Sequence, residues 1–162
     1  MSGRETVIEV RGLRSQFGTH VVHKDLDLEI RRGEILGIVG GSGSGKSVLV
    51  NTILGLKTPE AGETYFSGRP RSSMRRKDRD ALARRMGVLF QAGALFSSLT
   101  VQENVMAPMR EHLDMPVSLM AELADLKVGM VGLPGNAGAK FPSELSGGMK
   151  KRAGLARALA LD

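Results

Sequence analysis

Apolar and polar positions alternate in two stretches near the start of the chain. Thr6-Val7-Ile8-Glu9-Val10 predicts a first strand, and Leu26-Asp27-Leu28-Glu29-Ile30 predicts a half-buried second one. Two other runs, Ile35-Leu36-Gly37-Ile38-Val39 and Met86-Gly87-Val88-Leu89-Phe90, are apolar almost throughout. That is the pattern of strands covered on both faces. Glu63-Thr64-Tyr65-Phe66 predicts a short strand ended by Gly68. Val48 to Leu54 predicts the first turns of a helix that stops near Gly55. Thr100, with Glu103 three residues on, predicts a capping box for a helix through Met106 that Pro108 limits. From Val117 to Met130, the residues Leu119, Met120, Leu123, Leu126 and Met130 fall at helical spacing and predict an amphipathic helix with these methionines as core filler. Ser146 is a good N-cap for a last helix that continues through Ala160.

Between the first apolar run and the helix after it stands Gly40-Gly41-Ser42-Gly43-Ser44-Gly45-Lys46-Ser47, which fits G-x-x-x-x-G-K-[ST] without a mismatch. The order of strand, loop and helix is the context that this phosphate-binding loop requires. Glycines let the backbone curl with its N–H groups inward, and the helix start adds positive potential. Val48 opens the helix behind them. Lys46 is expected to reach the β- and γ-phosphates, and the Ser47 hydroxyl to ligate Mg²⁺.

At 162 residues the chain is one domain at most, with 41% apolar and 25% charged residues, ordinary for a globular protein. It has no cysteine, so disulfides and thiolate metal sites are excluded. No apolar run approaches the length of a membrane span, and Met1-Ser2-Gly3-Arg4-Glu5 has no signal-peptide character. The net charge of +6 owes much to one segment, Arg69 to Arg85. Lipid headgroups or nucleic acid would suit that segment electrostatically, but a solvated helix face is the better reading. The interleaved aromatics of a single-strand binder are missing, so no nucleic acid partner is expected.

Three further places carry candidate chemistry. Phe17 precedes Gly18 in a polar stretch, where the ring either packs under its own loop or stacks on a flat ligand. Gln91 follows an apolar run directly, at the strand end where α/β folds place ligand contacts. Gly147 and Gly148, in the first turn after Ser146, each cost a helix roughly 1 kcal/mol relative to alanine. Close approach of an anion to the bare helix start would account for them.

Taken together, Phe17, the phosphate loop, Phe90-Gln91 and Leu145-Ser146-Gly147-Gly148-Met149 resemble the nucleotide-binding subunit of ABC transporters over essentially the whole chain. Leu145 to Met149 resembles the LSGGQ signature, and Phe90-Gln91 resembles the start of the Q-loop. Phe17 falls where the family places its adenine-stacking aromatic. The run Leu89 to Val105, with Ser143 to Met149, resembles the ATPases of the maintenance-of-lipid-asymmetry type, and Met149 in place of the family's glutamine fits that subgroup.

The resemblance implies an α/β P-loop NTPase fold: a RecA-like core with an antiparallel β subdomain over residues 1–90 and a Q-loop and α-helical signature subdomain over 91–162. It implies ATP and Mg²⁺ as ligands, with Lys46 and Gln91 as catalytic groups and Ser47 and Gln91 near the metal. Ser146, Gly147 and Gly148 would serve the γ-phosphate of a second copy in a head-to-tail homodimer. The implied partners are an integral-membrane permease and a lipid-binding protein of the mammalian-cell-entry class, at the cytoplasmic face of an inner membrane. An ABC-type ATPase acting on nucleic acid or ribosomes is the alternative. The family's Walker B strand, catalytic glutamate, D-loop and switch histidine would all follow Asp162. The resemblance therefore implies an incomplete cassette, a truncated sequence or fragment expected to turn over very poorly. His20, His23 and His112 stand upstream of the signature and are read as surface residues.

Overall fold

Hairpin pairing organises the first part of the chain. The computed structural model describes residues 5–91 and 93–162. Strands β1 (Thr6–Phe17) and β2 (His20–Arg31) form a long antiparallel hairpin, and β3 (Ala61–Phe66) and β4 (Arg69–Pro70) extend it into a four-stranded sheet of order β2-β1-β3-β4. Both long strands outrun the short alternating cores seen in the sequence, because the ladder carries the polar flanks with it. Helix α1 (Lys46–Leu54) is interposed between β2 and β3 and buries Leu49, Thr52 and Ile53. Helix α2 (Arg76–Ala83) buries nothing, as a solvated basic face should, and Arg69 and Arg75 both pair with Asp78.

Chain contacts divide the molecule into two compact units, Met1–Arg79 and Asp80–Asp162. In the second, α3 (Val101–His112), α4 (Val117–Met130) and α5 (Gly147–Ala158) close around Val105, Met109, Met120, Ala124, Val128 and Ala153.

Five expectations are corrected. Ile35 to Val39 is not a buried strand: Ile35 is 100% and Val39 91% exposed, and neither belongs to a ladder. Met86 to Phe90 is likewise unpaired, with Leu89 and Phe90 exposed. An apolar run becomes a strand only when a neighbour supplies its N–H and C=O partners, and among the described residues none does. The sheet is wholly antiparallel among those residues. Pro108 does not end its helix. Helix α3 runs through it to His112 because Val105, Met106 and Met109 are buried on either side, and that packing outweighs the roughly 3 kcal/mol a mid-helix proline costs. In α4 the buried face is Met120, Ala124, Lys127 and Val128, while Leu119, Leu126 and Met130 are exposed. Lys127 lies inside along its stem, and its Nζ donates to the Asp162 carbonyl at 2.9 Å.

His23 is the fifth. Stepping back by twos from Ile30, Leu28 and Leu26 would bury Lys24 and leave His23 outside. Asp25 adopts φ 52°, and the pairing slips between Leu13↔Leu26 and Ser15↔His23. This bulge inserts one residue and turns His23 inward, to 7% exposure.

Asn104 is the polar keystone of the second unit. Its Oδ1 accepts from Phe96 N–H at 2.8 Å, and its Nδ2 donates to the carbonyls of Phe96, Leu99 and Thr100. The capping box is present beside it, with Thr100 Oγ1 accepting from Glu103 N–H and the Glu103 carboxylate accepting from Thr100 N–H. Those bonds hold the Glu103 carboxyl below its ordinary range. Replacing the fully buried Asn104 by leucine orphans several of these groups at once. A loss of about 2–3 kcal/mol is expected in a urea titration of the full-length protein, and an unchanged midpoint would show that water replaces the clamp.

Candidate functional site

The phosphate loop of the first unit is built by backbone geometry. Gly40, Gly43 and Gly45 sit at φ 156°, 80° and 90°, a region that side chains avoid. Gly45 is also packed: an added Cβ would come 2.5 Å from Val22 Cγ1 and 2.6 Å from His23 Nε2. The β2 strand is thus the floor on which the loop rests. At Gly40 an added Cβ would fall 2.7 Å from Ser44 Oγ.

Helix α1 starts at Lys46, directly behind Gly45, and its first intrahelical bond runs from Leu49 N–H to the Gly45 carbonyl at 2.9 Å. The amides of Lys46, Ser47 and Val48 therefore have no partner within the helix. No acidic residue stands in its first turn, so no side chain of its own offsets the positive end of the dipole. The Lys46 ammonium curls back to donate to the carbonyls of Gly40 and Gly41, each at 2.6 Å, and to Ser44 Oγ at 3.3 Å. A lysine ammonium held by the loop, three glycines at positive φ and a bare helix start make a receptor for a polyanion. Ser42, Ser44 and Ser47 lie at the surface of that receptor.

Phe17 belongs to the same unit. It ends β1, is 56% exposed, and has Lys57 Nζ 4.8 Å from its ring centroid, so it does not pack under its own loop. The ring is available to stack, with a cation on one side.

Gln91 and Ser146 to Gly148 belong to the second unit. Gln91 is exposed in a turn closed by Gly93 N–H donating to the Phe90 carbonyl at 2.8 Å. Ser146 caps α5, its Oγ accepting from Met149 N–H at 3.3 Å. An added Cβ on Gly147 or Gly148 would meet nothing within 4 Å. The close approach expected at these glycines is thus not made by the described residues of this chain.

Three residues escape sequence reasoning. His23 and Ser15 are cross-strand partners, both buried, and His23 Nδ1 and Ser15 Oγ lack hydrogen-bond partners among the described residues. No local pattern announces them, because a bulge places His23. Arg157, on α5, donates to two carbonyls of the turn that follows Gln91. An arginine within an alanine-rich helix was the only available signal. Among the described residues no cluster of His, Asp and Glu is arranged to hold a metal, so a cation here would depend on Ser47 and on its ligand's own oxygens.

The sequence model of the ABC transporter family matches residues 23–162. The chain is 42% identical over 158 residues to the intermembrane phospholipid transport system ATP-binding protein MlaF of Haemophilus influenzae, covering 98% of this chain and 60% of that protein. It is 43% identical over 155 residues to the probable ribonucleotide transport ATP-binding protein mkl of Mycobacterium leprae, covering 96% of this chain and 44% of that one. The chain thus spans between about two-fifths and three-fifths of the length of these relatives. Among solved structures, the dimeric post-hydrolysis state of the ATP-binding cassette MJ0796 bound to ADP and Pi superposes with a TM-score of 0.85 at 29% identity, covering 94% of this chain and 69% of that one.

The packing under Gly45 generates a direct test. Gly45→Ala imposes both a strained φ and a clash with the β2 floor, and is expected to weaken binding of a fluorescent ATP analogue by about tenfold or more. Gly129→Ala, where an added Cβ meets nothing, should leave that titration unchanged. Equal affinities for both variants would show that the loop does not depend on its floor.

Proposed function

This chain belongs to the ABC transporter family, and from that membership we propose that it binds and hydrolyses ATP to energise phospholipid transport across a cell envelope. The observation that carries the proposal is the receptor formed by Gly40 to Val48, with the Lys46 ammonium held at its mouth. Its glycine cradle and unneutralised helix start fit the phosphates of a nucleotide, and Ser47 fits a Mg²⁺ ligand. The metal, when bound, would spread the negative charge of the β- and γ-phosphates.

Lys46 exchanges its loop carbonyls for phosphate oxygens and follows the charge as it develops. The amides of Gly41 to Val48 hold the phosphates in line. Phe17 stacks on the adenine, and Lys57 adds a cation near it. Gln91 orients water and senses the metal. Residues 1–90 serve as the β subdomain and phosphate-loop core, and 91–162 as the Q-loop and signature subdomain.

Ser146, Gly147 and Gly148 offer their helix start to the γ-phosphate on a second copy, which makes the working unit a head-to-tail homodimer. Contacts that exist only while the γ-phosphate is present tie closure to ATP and opening to its hydrolysis. A permease subunit at the cytoplasmic face of a membrane receives that movement. A lipid-binding protein of the mammalian-cell-entry class is the further partner. Likeness to a phospholipid-transport ATPase over almost the whole chain supports lipid as cargo.

In the full-length protein, Lys46→Ala is expected to lower phosphate release by about two orders of magnitude or more, since the loop's one lysine is lost. Near-normal turnover would overturn the assignment. With the permease reconstituted in bilayers, phospholipid should stimulate the wild-type rate, and stimulation by ribonucleotides alone would move the cargo to another class.

A further inference from the structure

The second unit contains a connection that the reading above leaves unused. Helix α5 carries Ser146 to Gly148 at its start and Arg157 in its last turn, so one rigid rod of about 16 Å links the two. Nη2 of Arg157 donates to the Gly93 carbonyl at 2.8 Å and Nη1 to the Ala94 carbonyl at 2.7 Å. Its guanidinium also lies 5.9 Å from the centroid of the Phe96 ring. The planar fork suits two adjacent carbonyls in a way that a lysine cannot reproduce. Burial pulls Arg157 below its ordinary pKa, so holding a cation here has a cost, and the partners that meet it are main-chain carbonyls of this turn.

The backbone reinforces the fork. An added Cβ on Gly154 would lie 2.8 Å from Gly93 Cα, and one on Gly93, at φ 77°, would lie 2.7 Å from the Lys150 carbonyl oxygen. Helix and turn therefore touch backbone to backbone, with no room for sliding. The same turn holds Gln91, through the bond from Gly93 N–H to the Phe90 carbonyl, and its far side is anchored at Phe96 by Asn104.

We propose that Arg157 is a positioning residue for Gln91: its fork, together with the Gly93–Gly154 contact, splices the Gln91 turn to the signature helix so that both shift as one piece. A phosphate that draws in the Ser146 end then moves Gln91 as well, without any contact between the two. This rests on the roles proposed above for Gln91 and Ser146 to Gly148.

The test uses the full-length protein and its Arg157→Gln, Arg157→Lys and Gly154→Ala variants, with ATP titrations of phosphate release and hydrogen exchange of residues 93–96. The splice predicts that Arg157→Gln lowers kcat about tenfold while KM for ATP stays within about twofold, since the phosphate loop is untouched. Cooperativity in ATP should fall, and exchange at 93–96 should quicken while α5 stays protected. Arg157→Lys should fall between. Gly154→Ala, which keeps the fork but wedges the contact, should reproduce the kcat loss and covers the case in which Arg157→Gln fails to fold. Unchanged kcat and cooperativity in folded variants would overturn the splice. So would losses of kcat and KM that track only a lowered melting temperature. An inactive wild-type protein would instead count against the ATPase reading itself.

Discussion

The conformation of one residue, Gly45, underlies the site. Its left-handed φ turns the chain from an exposed curl into a helix, and this leaves the first amides of α1 without partners within the helix. The same residue is pressed onto Val22 and His23, so the sheet and the loop determine each other's position. Without a side chain at 45, strand β2 approaches the helix start closely enough to support it. With one, either the strand or the loop must give way. The Lys46 ammonium completes the arrangement by drawing the Gly40 and Gly41 carbonyls together, so the loop stays curled by internal bonds. Binding a polyanion then exchanges two neutral carbonyl partners of the ammonium for anionic oxygens, which add the attraction of opposite charge.

Helix signals were legible in the sequence because they are local. Thr100 and Ser146 cap their helices through side-chain bonds spanning three residues, and a window of that length contains the whole interaction. The phosphate loop was legible for the same reason, its glycines falling where the backbone needs φ above zero. The resemblance to ABC cassettes supplied what no window contains, an expectation that links Phe17, Gln91 and Ser146.

What failed was non-local. Ile35 to Val39 has the composition of a central parallel strand, but composition cannot provide a ladder partner, and the run stays exposed and unpaired. Pro108 is a helix breaker by local rules, yet burial of Met106 and Met109 on either side carries the helix past it. His23 is placed by a bulge whose only sequence trace is Asp25, a residue that tolerates positive φ better than most. In α4 the apolar stripe Leu119, Leu126 and Met130 faces out while Lys127 is folded in. A lysine stem satisfies an apolar face as well as leucine does when its ammonium finds a carbonyl at the rim.

The start of α5 shows how an unfavourable local choice is retained. Gly147 and Gly148 together weaken the helix by roughly 2 kcal/mol relative to alanine, and no neighbour crowds them. The Ser146 cap returns about 1 kcal/mol, and burial of Ala153, Gly154 and Ala156 against the rest of the unit holds the remainder of the helix. The deficit is thus borne by packing two turns away, and the first turn is left smooth and uncovered. A larger side chain there would improve the helix and shield its amides. Glycine is the residue that keeps those amides reachable by a group arriving from outside the chain, and the fold tolerates the weakness because Arg157 and the Gly93 contact fix the helix at its other end.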